Sequence, residues 1–248
     1  MQPSGGTYKA ESGLHTGFPS LAQAIRDLQL DHVQDVELDY AASSLGAIND
    51  TLLQRLHLAA RGEPWTVDSK ATEVRKKTRI YFPTKETVER SVGGPACGGV
   101  ISLSPKSYYA PTFPKECLRN YDSTRRGMLS HNKLLFARGR KTDGRPFAWV
   151  YVGSANMSEA AWGGQRVLKN GSMGSLVVRN WECGIIMPVA DEKMAELELG
   201  AGEIPPMSVF EGTVEMGFQY PGEQYGSSSN SSGGGGGGKE PWLLRAEE

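Results

Sequence analysis

The chain has 248 residues, 38% of them hydrophobic, and a formal net charge of −1, with a mean hydropathy of −0.41. That length can bury a sizeable core as one large domain or two small ones. No apolar run approaches the roughly 20 residues that span a bilayer, the N-terminus lacks the basic start and apolar core of a signal peptide, and the near-neutral total gives no global attraction to nucleic acid.

Ser20 to Leu30 repeats apolar residues at helical spacing behind a serine cap. Asp35 to Tyr40 reads as a short strand entering the Ala41–Gly46 turn. Asn49 and Asp50 can cap a second helix running through Leu52, Leu53, Leu56 and Leu58. Lys77 to Phe82 is a predicted strand stopped by Pro83, followed by a short helix over Thr84 to Val92. Gly93 to Gly99 is expected to be loop, and Lys115 to Tyr121 one more helical segment. Met128 to Ala137 and Phe147 to Val152 carry the densest strand signal. They are predicted to pair antiparallel across the turn-rich stretch Gly139–Gly144. Trp181 to Val189 adds a further apolar strand.

Strands interleaved with helices predict an α/β fold, a layered α-β-α domain with a mixed sheet. The predicted division is 1–40, an N-terminal segment with a helix, then 41–225, the main domain. A Ser/Gly-rich disordered loop follows over 226–238, with a terminal segment over 239–248. Pro241–Trp242–Leu243–Leu244 is an apolar patch able to dock back. Cys97, Cys117 and Cys183 are odd in number and lack metal-ligand spacing, so reduced thiols of an intracellular protein are the simplest reading.

The chemistry concentrates in Ser130–His131–Asn132–Lys133 and in Gly153–Ser154–Ala155–Asn156–Met157–Ser158. On a strand, His131 and Lys133 would share one face about 7 Å apart and straddle a phosphate. An imidazole can give a proton to a leaving oxygen and later take one from water. A fixed ammonium stabilises the non-bridging oxygens without metal. Asn156 can donate an amide hydrogen bond to the same oxygens, Ser154 and Ser158 can add hydroxyls, and Gly153 and Ala155 permit a ligand close to the backbone. Eight basic residues lie between Arg119 and Arg145, against only Asp122 and Asp143. This is local positive charge that would attract a polyanion. None of His15, His32 and His57 is followed two residues later by lysine, so the chain holds a single such motif.

The run from Ser130 to Gly163, with His131–Asn132–Lys133 and Ser154–Ala155–Asn156–Met157–Ser158–Glu159–Ala160–Ala161–Trp162, resembles the second catalytic motif of the tyrosyl-DNA phosphodiesterases, members of the phospholipase D superfamily. Weaker collinear pieces are Ser43–Ser44–Leu45–Gly46, Ile80–Tyr81–Phe82–Pro83, Gly94–Pro95–Ala96–Cys97, Trp181–Glu182–Cys183–Gly184 and Lys239–Glu240–Pro241–Trp242. The resemblance implies a C-terminal, phospholipase D-like half that hydrolyses phosphodiesters joining DNA 3′ ends to tyrosine, in DNA repair in the nucleus, with no metal or cofactor. It implies His131 as general acid/base, Lys133 and Asn156 as phosphate ligands, and Glu182 as a carboxylate orienting an imidazole. Ser44, Pro95, Ser154 and Ser158 fall in regions that line the DNA groove. The family's first His-x-Lys motif, which carries the nucleophile, has no counterpart here. Three readings follow: the acid/base half of such an enzyme, a homodimer that pairs two copies of the set, or a non-catalytic DNA-end binding module.

Overall fold

The computed structural model describes residues 16–65, 71–120, 122–123, 127–172, 174–196, 218–219 and 240–243. In chain order the elements are α1 (Gly17–Asp27), β1 (Val33–Ala41), β2 (Ser44–Leu45), α2 (Asp50–Ala60), α3 (Ala71–Lys76), β3 (Thr78–Tyr81) and α4 (Lys85–Glu89). A 3-10 helix (Gly94–Val100), β4 (Ser102–Leu103), α5 (Pro105–Tyr108), a 3-10 turn (Lys115–Cys117), β5 (Leu118–Arg119) and β6 (Asp122–Ser123) follow. Then come β7 (Lys133–Lys141), β8 (Pro146–Gly153), α6 (Glu159–Trp162), β9 (Gly184–Pro188), a 3-10 segment (Asp191–Glu196) and β10 (Phe218–Gln219).

Six strands form one mixed sheet in the order β5-β3-β1-β7-β8-β9. β1 pairs parallel with β3, and β3 with β5, while β7 runs antiparallel to β1 and β8, and β9 antiparallel to β8. The architecture is therefore α/β with a mixed sheet. Alternation gives the sheet two apolar faces. Leu38, Tyr40, Ile80, Leu135, Ala137, Trp149 and Tyr151 point one way and pack with Leu21, Ile25, Leu52, Leu53 and Leu56 of α1 and α2. Ala41, Tyr81, Leu134, Phe136, Ala148 and Val150 form a second cluster with Val189 and Met194.

The boundary expected at residue 40 falls inside β1, and β1 lies between β3 and β7. α1 begins at Gly17 rather than at a Ser20 cap. Asn49 caps α2 as expected, its side chain accepting from the Leu52 N–H. Two local expectations are corrected. Gly94–Val100 is a 3-10 helix rather than loop, because Pro95 pre-sets a helical φ at its start. In place of a helix over Lys115 to Tyr121, Lys115–Cys117 is a single 3-10 turn that passes into strand β5, where pairing with β3 outweighs local helix preference; Tyr121 lies outside the described residues. Trp242 docks as foreseen: its N–H meets Pro83 O and its Nε1 meets Gly98 O at 3.2 Å. A Cβ on Gly98 would come within 2.5 Å of the Trp242 ring. The Ser/Gly tract 226–238 lies outside the described residues.

Among the described residues, the basic side chains of the segment from Lys133 to Arg145 do not share one surface. Arg138 is buried on β7, where it and Arg79 pair with Glu37 and Asp39, and the Tyr81 hydroxyl adds a bond to Asp39 at 3.0 Å. Lys141 binds Gln29 O at the far end of β7 from Lys133, and Arg145 pairs with Asp143 in the turn beyond it. Alternation and strand length disperse the charges that the linear sequence gathers. Arg125 and Arg126 lie outside the described residues.

Candidate active site

Register brings one end of five strands together. Ala41 pairs with Tyr81 and Leu134, Lys133 with Gly153, and Gly153 with Gly184. The connections leaving or entering that edge carry Ser43 and Ser44, His131, Ser154 to Asn156, and Glu182.

β7 begins at Lys133, so His131 precedes the strand and the expected pairing on one strand face is not formed. Lys133 is 5% exposed and turns back so that its Nζ donates to the His131 carbonyl at 2.6 Å. His131 is exposed above it. Burial holds the Lys133 ammonium below the usual lysine range, and Glu182 partly opposes that. Burial, then the charge of Lys133, lowers His131 below the usual histidine range. An imidazole beside a buried cation is a readier proton donor once protonated. It is also largely neutral, and so a competent base, near pH 7.

Asn156 lies in the turn after β8. Its Oδ1 accepts the Ser44 N–H at 3.0 Å and the Ser43 hydroxyl at 3.4 Å. With the oxygen so engaged, the amide nitrogen is turned to the other side, as a donor. Ser44 thus serves the cluster through its backbone rather than its hydroxyl. Leu45 bridges to Met157, and Gly46 N–H to Met157 O, tying the two segments together.

Glu182 is the best-anchored carboxylate of the group. The Ser154 hydroxyl donates to its Oε2 at 2.5 Å, and Asn180 Nδ2 to its Oε1 at 2.9 Å. Ser154 Oγ also accepts from Cys183 N–H, so this side chain is a brace between β8 and β9. Ser158 caps α6, accepting the Ala161 N–H at 3.2 Å. Pro95 is exposed at the start of its 3-10 helix and takes part in none of these contacts. The structure therefore joins His131 and Lys133 by a hydrogen bond, couples Lys133 electrostatically to Glu182, and links Asn156 to Ser44. It assigns Ser154 and Ser158 to internal bonds.

Sequence reasoning missed Tyr40 and Tyr151. The Tyr40 hydroxyl donates to Ala155 O at 2.6 Å and accepts from Trp162 Nε1 at 2.8 Å. Tyr151 OH accepts the Ala155 N–H at 3.4 Å. Alternation along β8 places Tyr151 on the same face as Gly153, a signal that was available. Gly153 makes room for the Tyr151 side chain, since a Cβ there would overlap the Tyr151 hydroxyl.

The family model for tyrosyl-DNA phosphodiesterase matches residues 3–226. The chain belongs to the tyrosyl-DNA phosphodiesterase family. Tyrosyl-DNA phosphodiesterase 1 of Arabidopsis thaliana is 28% identical over 183 residues, which is 70% of this chain and 29% of that protein. Two crystallised variants of the yeast tyrosyl-DNA phosphodiesterase superpose with TM-scores of 0.48 and 0.49 at 19% and 18% identity. Each covers 72% of this chain and 45% or 44% of the yeast chain. The chain thus spans less than a third of its Arabidopsis relative and under half of the yeast protein. Among the described residues no group of histidine, cysteine and carboxylate side chains is arranged to hold a metal ion.

Proposed function

We propose that this chain supplies the acid/base and phosphate-binding part of a tyrosyl-DNA phosphodiesterase, acting in the nucleus on a phosphodiester between a DNA 3′ end and a tyrosine or tyrosyl peptide. The observation that carries this reading is the convergence of Lys133, Asn156 and Glu182 at one sheet edge, with His131 exposed above Lys133. Lys133 and the Asn156 amide hold the non-bridging oxygens, and His131 protonates the tyrosine oxygen as the P–O bond breaks. The nucleophile is a histidine outside this set, and the phosphohistidine it forms is hydrolysed by water that His131 deprotonates. Proton and bond counts balance: His131 gives one proton to the phenolate and takes one from the water.

Glu182 is bonded to Ser154 and Asn180, which fixes one carboxylate near the phosphate site for the incoming imidazole. A 3′-phosphotyrosyl oligonucleotide is the direct probe. The full chain should bind it more tightly than the same strand ending in a 3′-hydroxyl, and Lys133→Ala should remove most of that preference. Such charged hydrogen bonds are worth about 1.5–3 kcal/mol each, or roughly ten- to a hundredfold in affinity. Equal affinity for the two ends, unaffected by Lys133→Ala, would overturn the reading.

A further inference from the structure

We propose that Tyr40 and Tyr151 are positioning residues that grip the Ala155 peptide from both sides and thereby set the two functional neighbours, Ser154 and Asn156. The inference deepens the proposed function and rests on its phosphate pocket. Ala155 is the hinge between the brace on Glu182 and the amide aimed at phosphate. Its carbonyl accepts from Tyr40 OH and its N–H donates to Tyr151 OH. These are the two polar backbone atoms of that residue, and both are taken by side chains at the ends of two interior strands rather than from the turn itself. Loop geometry is thus inherited from β1 and β8.

The clamp is built to stay fixed. Tyr40 is fully buried, and its hydroxyl has a defined direction because Trp162 Nε1 donates to it while it donates to Ala155 O. The Trp162 ring lies 5.3 Å from that of Tyr151 and 5.8 Å from Phe18 of α1. Burial pushes both phenols above the ordinary tyrosine range, Tyr40 strongly. They therefore remain O–H groups at any pH at which the enzyme would work.

The two glycines at this edge make sense on the same account. A Cβ on either Gly153 or Gly184 would overlap the Tyr151 side chain, so the glycines of Gly153–Ser154–Ala155–Asn156 and of Glu182–Cys183–Gly184 both leave room for one ring. Neither has the positive φ that would otherwise explain a glycine.

The experiment uses the full chain as wild type, Tyr40→Phe, Tyr151→Phe and Gly184→Ala. Fluorescence anisotropy gives the affinity ratio for a short single strand with a 3′-phosphate over the same strand with a 3′-hydroxyl. Tyr40→Phe should lower the phosphate-end affinity about tenfold, the loss of one well-aligned ligand hydrogen bond. The hydroxyl-end affinity should hold within about twofold; a merely structural role would leave the ratio intact. Independently of any ligand, amide NMR should show shifted Asn156 side-chain resonances in Tyr40→Phe. It should also show faster exchange of the Ala155 N–H in Tyr151→Phe and, through ring displacement, in Gly184→Ala. If wild type does not prefer the phosphate end, the proposed function fails and the NMR arm still decides the clamp. Unchanged Ala155 exchange and Asn156 resonances in the variants would overturn the clamp. Should Tyr40→Phe not fold, Tyr151→Phe carries the test, since it removes only an acceptor at 3.4 Å.

Discussion

Asn156 Oδ1 and the backbone N–H of Ser44 are 3.0 Å apart, a bond that crosses 112 residues of sequence and fixes which way the side-chain amide at the candidate site faces. A side-chain amide is otherwise free to exchange its donor and acceptor ends by rotation. Here the neighbouring Ser43 hydroxyl, at 3.4 Å from the same oxygen, reinforces the choice.

That bond separates the two functions of Asn156. In Asn156→Asp the acceptor toward Ser44 is kept, while the outward donor becomes a carboxylate oxygen facing the phosphate. The fold should survive, with a melting temperature close to that of wild type, and affinity for a 3′-phosphorylated strand should fall by about a hundredfold or more. Asn156→Ala loses both contacts and should weaken binding while also destabilising the turn. Anisotropy paired with thermal melts distinguishes the two; equal affinity of Asn156→Asp and wild type would show that the amide does not meet phosphate.

The contrast between Arg138 and Arg140 supplies a second test. Both lie in the basic segment, but Arg138 is buried with Glu37, Asp39 and Arg79, and Arg140 is exposed. Removing one member of a buried ion cluster leaves an uncompensated charge, at about 3–5 kcal/mol. Arg138→Ala should therefore take a large part of a total stability of about 5–15 kcal/mol. Arg140→Ala should stay within about 0.5 kcal/mol. Urea midpoints of the two variants check this, and similar midpoints would mean that the cluster does not hold the sheet together.

Much of this was legible in the chain. The dense apolar run from Phe147 to Val152 marked the strand, Asn49 gave a cap that the structure forms, and Pro83 marked the end of β3. The candidate site was legible through residue types close in sequence, His131 with Lys133 and Ser154 with Asn156. What was not legible depends on register. Whether Arg138 faces solvent or a buried carboxylate pair is decided by which residues of β1 and β3 lie beside it, not by its own neighbours. Likewise, His131 falls outside β7 because pairing with Gly153 starts at Lys133, and nothing local in the sequence marks that start. Tyr40 and Ala155 meet across 115 positions, beyond any periodicity.

His57 should make stability pH-dependent. It is buried on α2, where its Nε2 lies 3.2 Å from Val36 O, and burial lowers its pKa, with the Val36 carbonyl opposing and Arg61 and Lys77 adding to the drop. A lowered folded-state value means that below about pH 6.5 the unfolded chain takes up a proton the folded chain refuses. Stability is thus fully present above that pH. It declines as pH falls toward the folded value, by at most about 1.4 kcal/mol per pH unit from this group. His57→Gln keeps a donor toward Val36 but does not titrate, so its urea midpoint should change less between pH 7 and pH 5 than that of wild type. Parallel curves for the two proteins would place the pH dependence elsewhere.

Glu182 offers the sharpest probe of site electrostatics, because it acts on Lys133 without a direct bond to it. Desolvation depresses the Lys133 ammonium, and the negative charge of Glu182 is the influence that raises it. Phosphate binding through Lys133 requires the charged amine, so affinity for a 3′-phosphorylated strand should be full at neutral pH and lost as pH rises through the Lys133 pKa. That midpoint should lie below the ordinary lysine value of about 10.4. In Glu182→Gln the supporting charge is gone, while the amide oxygen can still accept from Asn180 Nδ2 and the amide nitrogen can donate to the Ser154 hydroxyl oxygen. The affinity midpoint should therefore move to lower pH. Removing a nearby anion also reduces repulsion of the phosphate, which would by itself raise affinity at every pH. The shift in midpoint, read from anisotropy titrations between pH 6.5 and pH 10.5, isolates the effect on Lys133 from that uniform gain. A midpoint that stays in place, or moves upward, would mean that Glu182 does not sustain the charge on Lys133.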